Sequence, residues 1–210
     1  MEILGTLLRG FIIGLSIAAA VGPISLLCIR KTLADGRLAG FVCGMGAATA
    51  DGLYGCVAAF GLTWVSELLI DQQPWLRLIG GLFLVYLGGR TFLERPVESA
   101  ASTSAPDSTS LAKSYVSTFV LTVANPMTIL SFAAIFAGLG IGETGGYTLA
   151  SVLVTGVFAG SALWWLLLST GVGLVRTKLD PVALRWINGA SGALILGFGV
   201  VSLGSLWDKL

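Results

Sequence analysis

LAGFVCGMGAATADGLYGCVAAFGL, residues 38–62, is a continuous apolar stretch with one charge in it, Asp51. It is longer than the roughly 20 residues that carry an α-helix across a bilayer. An acid at that depth is unfavourable by roughly 2.5–3.5 kcal/mol even on lenient insertion scales, and such groups usually face a cavity or a partner. The stretch reads as a transmembrane helix with a functional carboxylate inside it. Gly44, Ala47, Ala48, Asp51 and Gly55 share one face at helical spacing. Small residues let another helix approach closely, so the acid is expected to point into a bundle.

The rest of the chain agrees with that reading. Of its 210 residues 55% are hydrophobic and 11% charged, and mean hydropathy is +0.91. Soluble domains carry roughly 25% charged residues. The composition implies an integral membrane protein with little mass outside the bilayer. Apolar segments run over about 4–29, 38–62, 74–93, 114–139, 146–174 and 182–206. They are continuously apolar, not alternating, which argues for helices and against a β-barrel. Residues 94–113, with Pro96, Pro106 and a Ser/Ala/Thr run, read as a flexible loop. Ala18 and Ala20 resemble a cleavage site, but the segment stays apolar to Ile29 and reads as a retained helix.

Lys and Arg set the expected orientation. Arg30, Lys31, Arg37, Arg90, Arg95, Lys113, Arg176, Lys178 and Arg185 fall on one side, and Arg9, Arg77 and Lys209 on the other. The positive-inside rule puts the larger group in the cytoplasm and both termini outside. Two landmarks recur in order. Gly22-Pro23-Ile24-Ser25 in the first segment parallels Asn125-Pro126-Met127-Thr128 in the fourth. Leu76-Arg77-Leu78-Ile79-Gly80-Gly81 in the third parallels Leu184-Arg185-Trp186-Ile187-Asn188-Gly189 in the sixth. Three spans per half invert the second half relative to the first. The expected fold is therefore an all-α integral membrane protein, six transmembrane helices as two inverted three-helix repeats in one domain of residues 1–210. Repeat one covers about 1–93 and repeat two about 114–210.

Proline removes an amide hydrogen and clashes with the preceding turn, so each Pro marks a helix interruption. Interruptions at equivalent places in two halves point to a midplane binding site, although a lone Pro is often a simple kink. The site residues expected are Gly22, Pro23, Ser25, Asn125, Pro126 and Thr128, with Asp51 as the charged group. Tyr54, one turn after Asp51, is expected in the same cavity. Trp164 and Trp165 lie in mid-segment, away from the interfaces where Trp is usual, and Ser161, Ser169 and Thr155 add hydroxyls there. Trp164 is expected to offer a ring face to an ammonium group, with core packing or lipid contact as the alternative. Three roles compete for Asp51: binding a cationic group, carrying a proton in exchange, or resting as a hydrogen-bonded neutral acid.

Other chemistries are excluded or weakly supported. The chain has no His and no GxxxxGK[ST] loop, so a Ser-His-Asp set and an ATP-driven pump are not indicated. No cofactor or resident metal is expected. The net charge of +1 offers no nucleic-acid footprint. Cys28, Cys43 and Cys56 all lie in the first third and read as buried structural thiols.

At Gly22-Pro23, Gly36, Gly40, Gly44, Asp51, Gly61-Leu62 and Asn125-Pro126 the chain resembles the LysE/RhtB family of bacterial amino-acid exporters, over nearly its whole length. The resemblance implies six helices, a multi-pass location in the cytoplasmic (inner) membrane, no enzymatic activity and ion-coupled export of amino acids. The partners implied are an amino-acid substrate and the lipid bilayer, and a homo-oligomer is compatible with the architecture. Two other classes stay open: a membrane thiol-electron carrier, which needs a reactive cysteine pair, and a divalent-cation exporter of the same superfamily.

Overall fold

The computed structural model describes residues 2–20, 22–60, 72–93, 108–125, 128, 131–132, 146–176 and 181–207. Among them seven long helices stand in the order α1 (Glu2–Ala19), α2 (Pro23–Asp35), α3 (Arg37–Ala59), α4 (Gln73–Leu93), α5 (Ser108–Val123), α6 (Gly146–Arg176) and α7 (Pro181–Trp207). Within the described residues the helices fall on the expected apolar segments with three differences. The first segment is split into α1 and α2, α5 begins at Ser108, inside the stretch expected to be a loop, and α5 ends at Val123, short of the expected 139, whose last residues lie outside the described ones. Ser and Thr at residues 108–110 suit a helix start that Pro106 precedes, which composition alone conceals. Glu2–Ala19, Arg37–Ala59 and Tyr147–Arg176 are each long and apolar enough to cross a membrane.

The split follows from Gly22-Pro23. Gly22 is extended, with φ −153° and ψ −172°, and Pro23 opens α2 without an amide hydrogen to satisfy. The Ser25 hydroxyl donates to the Ala20 carbonyl at 3.3 Å, so a carbonyl released by the break keeps a partner. One residue, Gly36, joins α2 to α3. Its φ of 95° lies in the left-handed region that only glycine adopts freely. The helices then fold back so tightly that a Cβ on Gly40 would overlap the Thr32 side chain. Arg176, at the end of α6, donates to the Ala34 carbonyl at 2.9 Å and closes the last turn of α2.

Glycine builds the remaining contacts. Gly10 and Gly14 of α1 lie on the α6 backbone at Leu153 and Val157, and Gly156 and Gly160 of α6 lie on that of α1. A side chain at any of the four would meet backbone. Gly81 and Gly88 of α4 pair likewise with Gly199 and Leu196 of α7. Close backbone approach replaces the hydrophobic driving force that lipid does not supply. Helix α3 is central, packed on α2, α5 and α6, and its small residues are almost all buried. The outward faces carry exposed apolar residues such as Ile12, Leu167 and Leu194, and exposed Trp75, Tyr147 and Trp186 near helix ends. That is a lipid-facing surface with aromatic residues toward its margins.

Candidate functional site

The face of α3 that carries Gly44, Ala47, Ala48 and Asp51 is buried against α6. Ala47, Ala48 and Asp51 are 1%, 0% and 3% exposed. A Cβ on Gly44 would overlap the Trp165 side chain, so this glycine lets the indole lie across α3. On α6 the buried positions Val157, Ser161, Trp165 and Ser169 recur every fourth residue and form the opposing face. The Ser161 hydroxyl donates to Asp51 Oδ2 at 2.7 Å, and Trp165 Nε1 donates to Ser161 Oγ at 3.2 Å. The acid thus sits at the contact of two helices with a directed chain of donors behind it.

In front of it lies a cavity of about 490 Å³. Its wall includes Asp51, Trp165, the α2 start at Gly22, Pro23 and Ser25, and Thr122, Asn125, Thr128 and Ser131 around the α5 end. The structure therefore brings Asp51 together with both interruptions. At the second, α5 stops in a turn: the Asn125 amide donates to the Thr122 carbonyl at 3.2 Å and that of Thr128 to the Asn125 carbonyl at 3.1 Å. Pro126 lies outside the described residues. The first intrahelical bond of α2 runs from the Leu26 amide to the Gly22 carbonyl at 3.1 Å, so the Ile24 and Ser25 amides precede the helical ladder beside the cavity. Gly22 supplies no side-chain cap. Asp51 is the only charged side chain among the described lining residues.

Two expected residues are placed elsewhere. Tyr54 is 4% exposed and does not line the cavity; its hydroxyl donates to the Val123 carbonyl at 2.5 Å, and its ring stacks on Phe132. It holds the end of α5. Trp164 also lies off the cavity, with a buried indole N–H that has no partner among the described residues. One residue's rotation on α6, about 100°, gives the cavity to Trp165. Ser161 and Trp165 stand out in the sequence among the hydroxyl and aromatic residues of this segment, and the structure adds their i, i+4 pairing on the face that meets Asp51.

Cys28 and Cys43 are buried thiols with a structural role, as expected, while Cys56 is only partly buried. The Cys28 thiol donates to Cys43 Sγ at 3.2 Å, and Cys43 Sγ lies 3.0 Å from Thr118 Oγ1, which donates to the Ser114 carbonyl at 2.9 Å. This chain ties α2, α3 and α5 together away from the cavity. Among the described residues no group of three or more Cys, Asp or Glu is placed to hold a metal.

Glycine-paired helices with a lipid-facing exterior, around an acid and a polar cavity between interrupted helices, are the construction of a multi-pass membrane transporter. Residues 15–205 match the family model described as LysE type translocator, and the chain belongs to that family. It is 28% identical over 193 residues to the putative amino acid efflux protein YcgF of Bacillus subtilis, covering 90% of each chain. It is 28% identical over 152 residues to the threonine efflux protein of Escherichia coli K12, covering 69% of this chain and 71% of that one. An uncharacterized membrane protein of the same organism, YahN, is 25% identical over 174 residues, 80% of this chain and 77% of its own. No solved structure matches the chain significantly.

Proposed function

We propose that the chain is a secondary exporter of amino acids in the inner membrane, exchanging a zwitterionic amino acid for a proton at Asp51. The observation that carries this is a carboxylate 3% exposed, with no described cation beside it, on the wall of the cavity that both helix interruptions share. An acid without a described counter-ion in that setting is best accommodated with a cationic group or a proton bound. The substrate's ammonium group binds Asp51 from the cytoplasmic side, and a proton from outside replaces it. The substrate carboxylate is received by the amides that open α2, where the positive end of the helix dipole meets the cavity. Hydroxyls of Ser25, Thr122 and Thr128 and the amide of Asn125 complete a neutral polar wall. The family membership and the efflux proteins among its relatives support export of this class of solute.

The packing supports the inverted repeat. Exchanging α1 with α5, α3 with α6, and α4 with α7 turns the α1–α6 contact into α5–α3 and leaves α3–α6 and α4–α7 unchanged. The orientation with both termini outside is supported at one end of the bundle. There Arg176 reaches Ala34, and Gly173 packs on Arg37, so basic residues of separate connections meet as the positive-inside rule requires.

Export is tested in cells with and without the protein, by following all amino acids in the medium. The expected result is selective export of one or a few amino acids, abolished by Asp51→Asn while the variant still reaches the membrane. Export by Asp51→Asn at the wild-type rate, with the same response to a pH gradient, contradicts the proposal.

A further inference from the structure

The two oxygens of Asp51 are not equivalent. An indole N–H only donates, so Trp165 occupies a lone pair of Ser161 Oγ. The one hydroxyl hydrogen of Ser161 then goes to Asp51 Oδ2. Ser161 Oγ has no other partner among the described residues, and Ser161 is wholly buried. Ser161 is absent from the cavity wall that Asp51 and Trp165 line. The Oδ2 bond therefore lies behind the wall, and Oδ1 is the oxygen left to the cavity. A proton on Oδ2 would face the Ser161 hydrogen, which would have to give up the acceptor it has among the described residues. Leaving a buried donor unpaired is unfavourable by about 1–3 kcal/mol. Other titratable groups do not supply an alternative: Tyr54, one turn along α3, gives its hydroxyl to Val123, and no other described lining residue is charged.

We infer that Ser161 and Trp165 reserve Oδ2 of Asp51 as a standing acceptor, so that proton and substrate ammonium compete for the single atom Oδ1. This rests on the proposed exchange at Asp51 and adds how the exchange is made obligatory. One atom cannot hold both, so neither crosses with the other still bound. Ser161 is a positioning residue: it acts through Asp51 without touching substrate.

Infrared spectroscopy of the purified full-length protein across neutral pH tests this without any ligand. The protonated Asp51 carboxyl band is the one missing in Asp51→Asn. In the wild type its C=O is Oδ2, hydrogen-bonded to Ser161, and the band lies at the low-frequency side of the carboxyl range. Ser161→Ala moves it to the free-carbonyl position, Ser161→Thr returns it, and Trp165→Phe splits it into two components by releasing the Ser161 lone pair. In proteoliposomes exporting an equimolar mixture of the standard amino acids, Ser161→Ala leaks protons without export and Ser161→Thr does not. A band that is unmoved in both Ser161→Ala and Trp165→Phe overturns the inference and leaves the exchange at Asp51 standing. Failure to find any Asp51 carboxyl band while Asp51→Asn still exports overturns the exchange itself.

Discussion

Two buried hydrogen-bond chains cross the faces of α3, and they end differently. On the α5 side, Cys28 donates to Cys43, Cys43 meets Thr118, and Thr118 donates to the Ser114 carbonyl. On the α6 side, Trp165 donates to Ser161 and Ser161 to Asp51. The first chain terminates on a backbone oxygen that cannot change its charge. The second terminates on a carboxylate that can. Both satisfy polar groups that lipid would leave unpaired, yet only the second borders the cavity. A polar chain between helices is thus a packing device by default, and it becomes a coupling device where its last acceptor titrates.

Substitutions separate the two chains. Asp51→Asn has the largest effect: pH-driven export falls to background, while the variant unfolds in detergent within about 1 kcal/mol of the wild type, the range of most single substitutions. Comparable loss of export from any Cys substitution breaks the distinction. Gly44→Ala comes next, because the added methyl displaces Trp165 and with it the orientation of Ser161. Overpacking of about 1–3 kcal/mol is expected in thermal unfolding, with export lowered severalfold and its coupling to protons loosened. Thr118→Val removes the acceptor of the other chain. Stability falls by about 1 kcal/mol, measured by denaturation, and the number of protons exchanged per amino acid is unchanged. Cys28→Ser is the mildest, since a hydroxyl can donate to Cys43 in the same place. Export within about twofold of wild type, well under the 1.4 kcal/mol of a tenfold change, sharpens the comparison. It also argues against thiol-electron transfer, for which Cys28 and Cys43 are the nearest pair.

Much of this was legible in the amino-acid order. Asp51 stands out because it alone is charged within its apolar segment, and Gly22-Pro23 and Asn125-Pro126 announce interruptions through backbone chemistry that no tertiary contact is needed to read. The small residues at 44, 47, 48 and 55 gave the buried face of α3. What remained hidden depends on rotation about α6. Trp164 and Trp165 are adjacent and chemically identical, so only the helix partner decides which one meets the cavity. Ser161 looks like any membrane-helix serine until α3 places an acid 2.7 Å away. Tyr54 has the spacing to join Asp51, but its hydroxyl finds the carbonyl at the end of α5. The cysteine pairing needs the one-residue turn at Gly36, which no cysteine spacing reveals.

The central claim is that proton and amino acid exclude one another at Asp51. It is tested most directly by adding each amino acid that the export screen returns to purified protein in weakly buffered detergent near neutral pH, with proton release followed by a pH indicator. The account predicts that binding releases protons from the wild type and that Asp51→Asn releases none. Binding to the wild type without proton release, or equal release from Asp51→Asn, contradicts it.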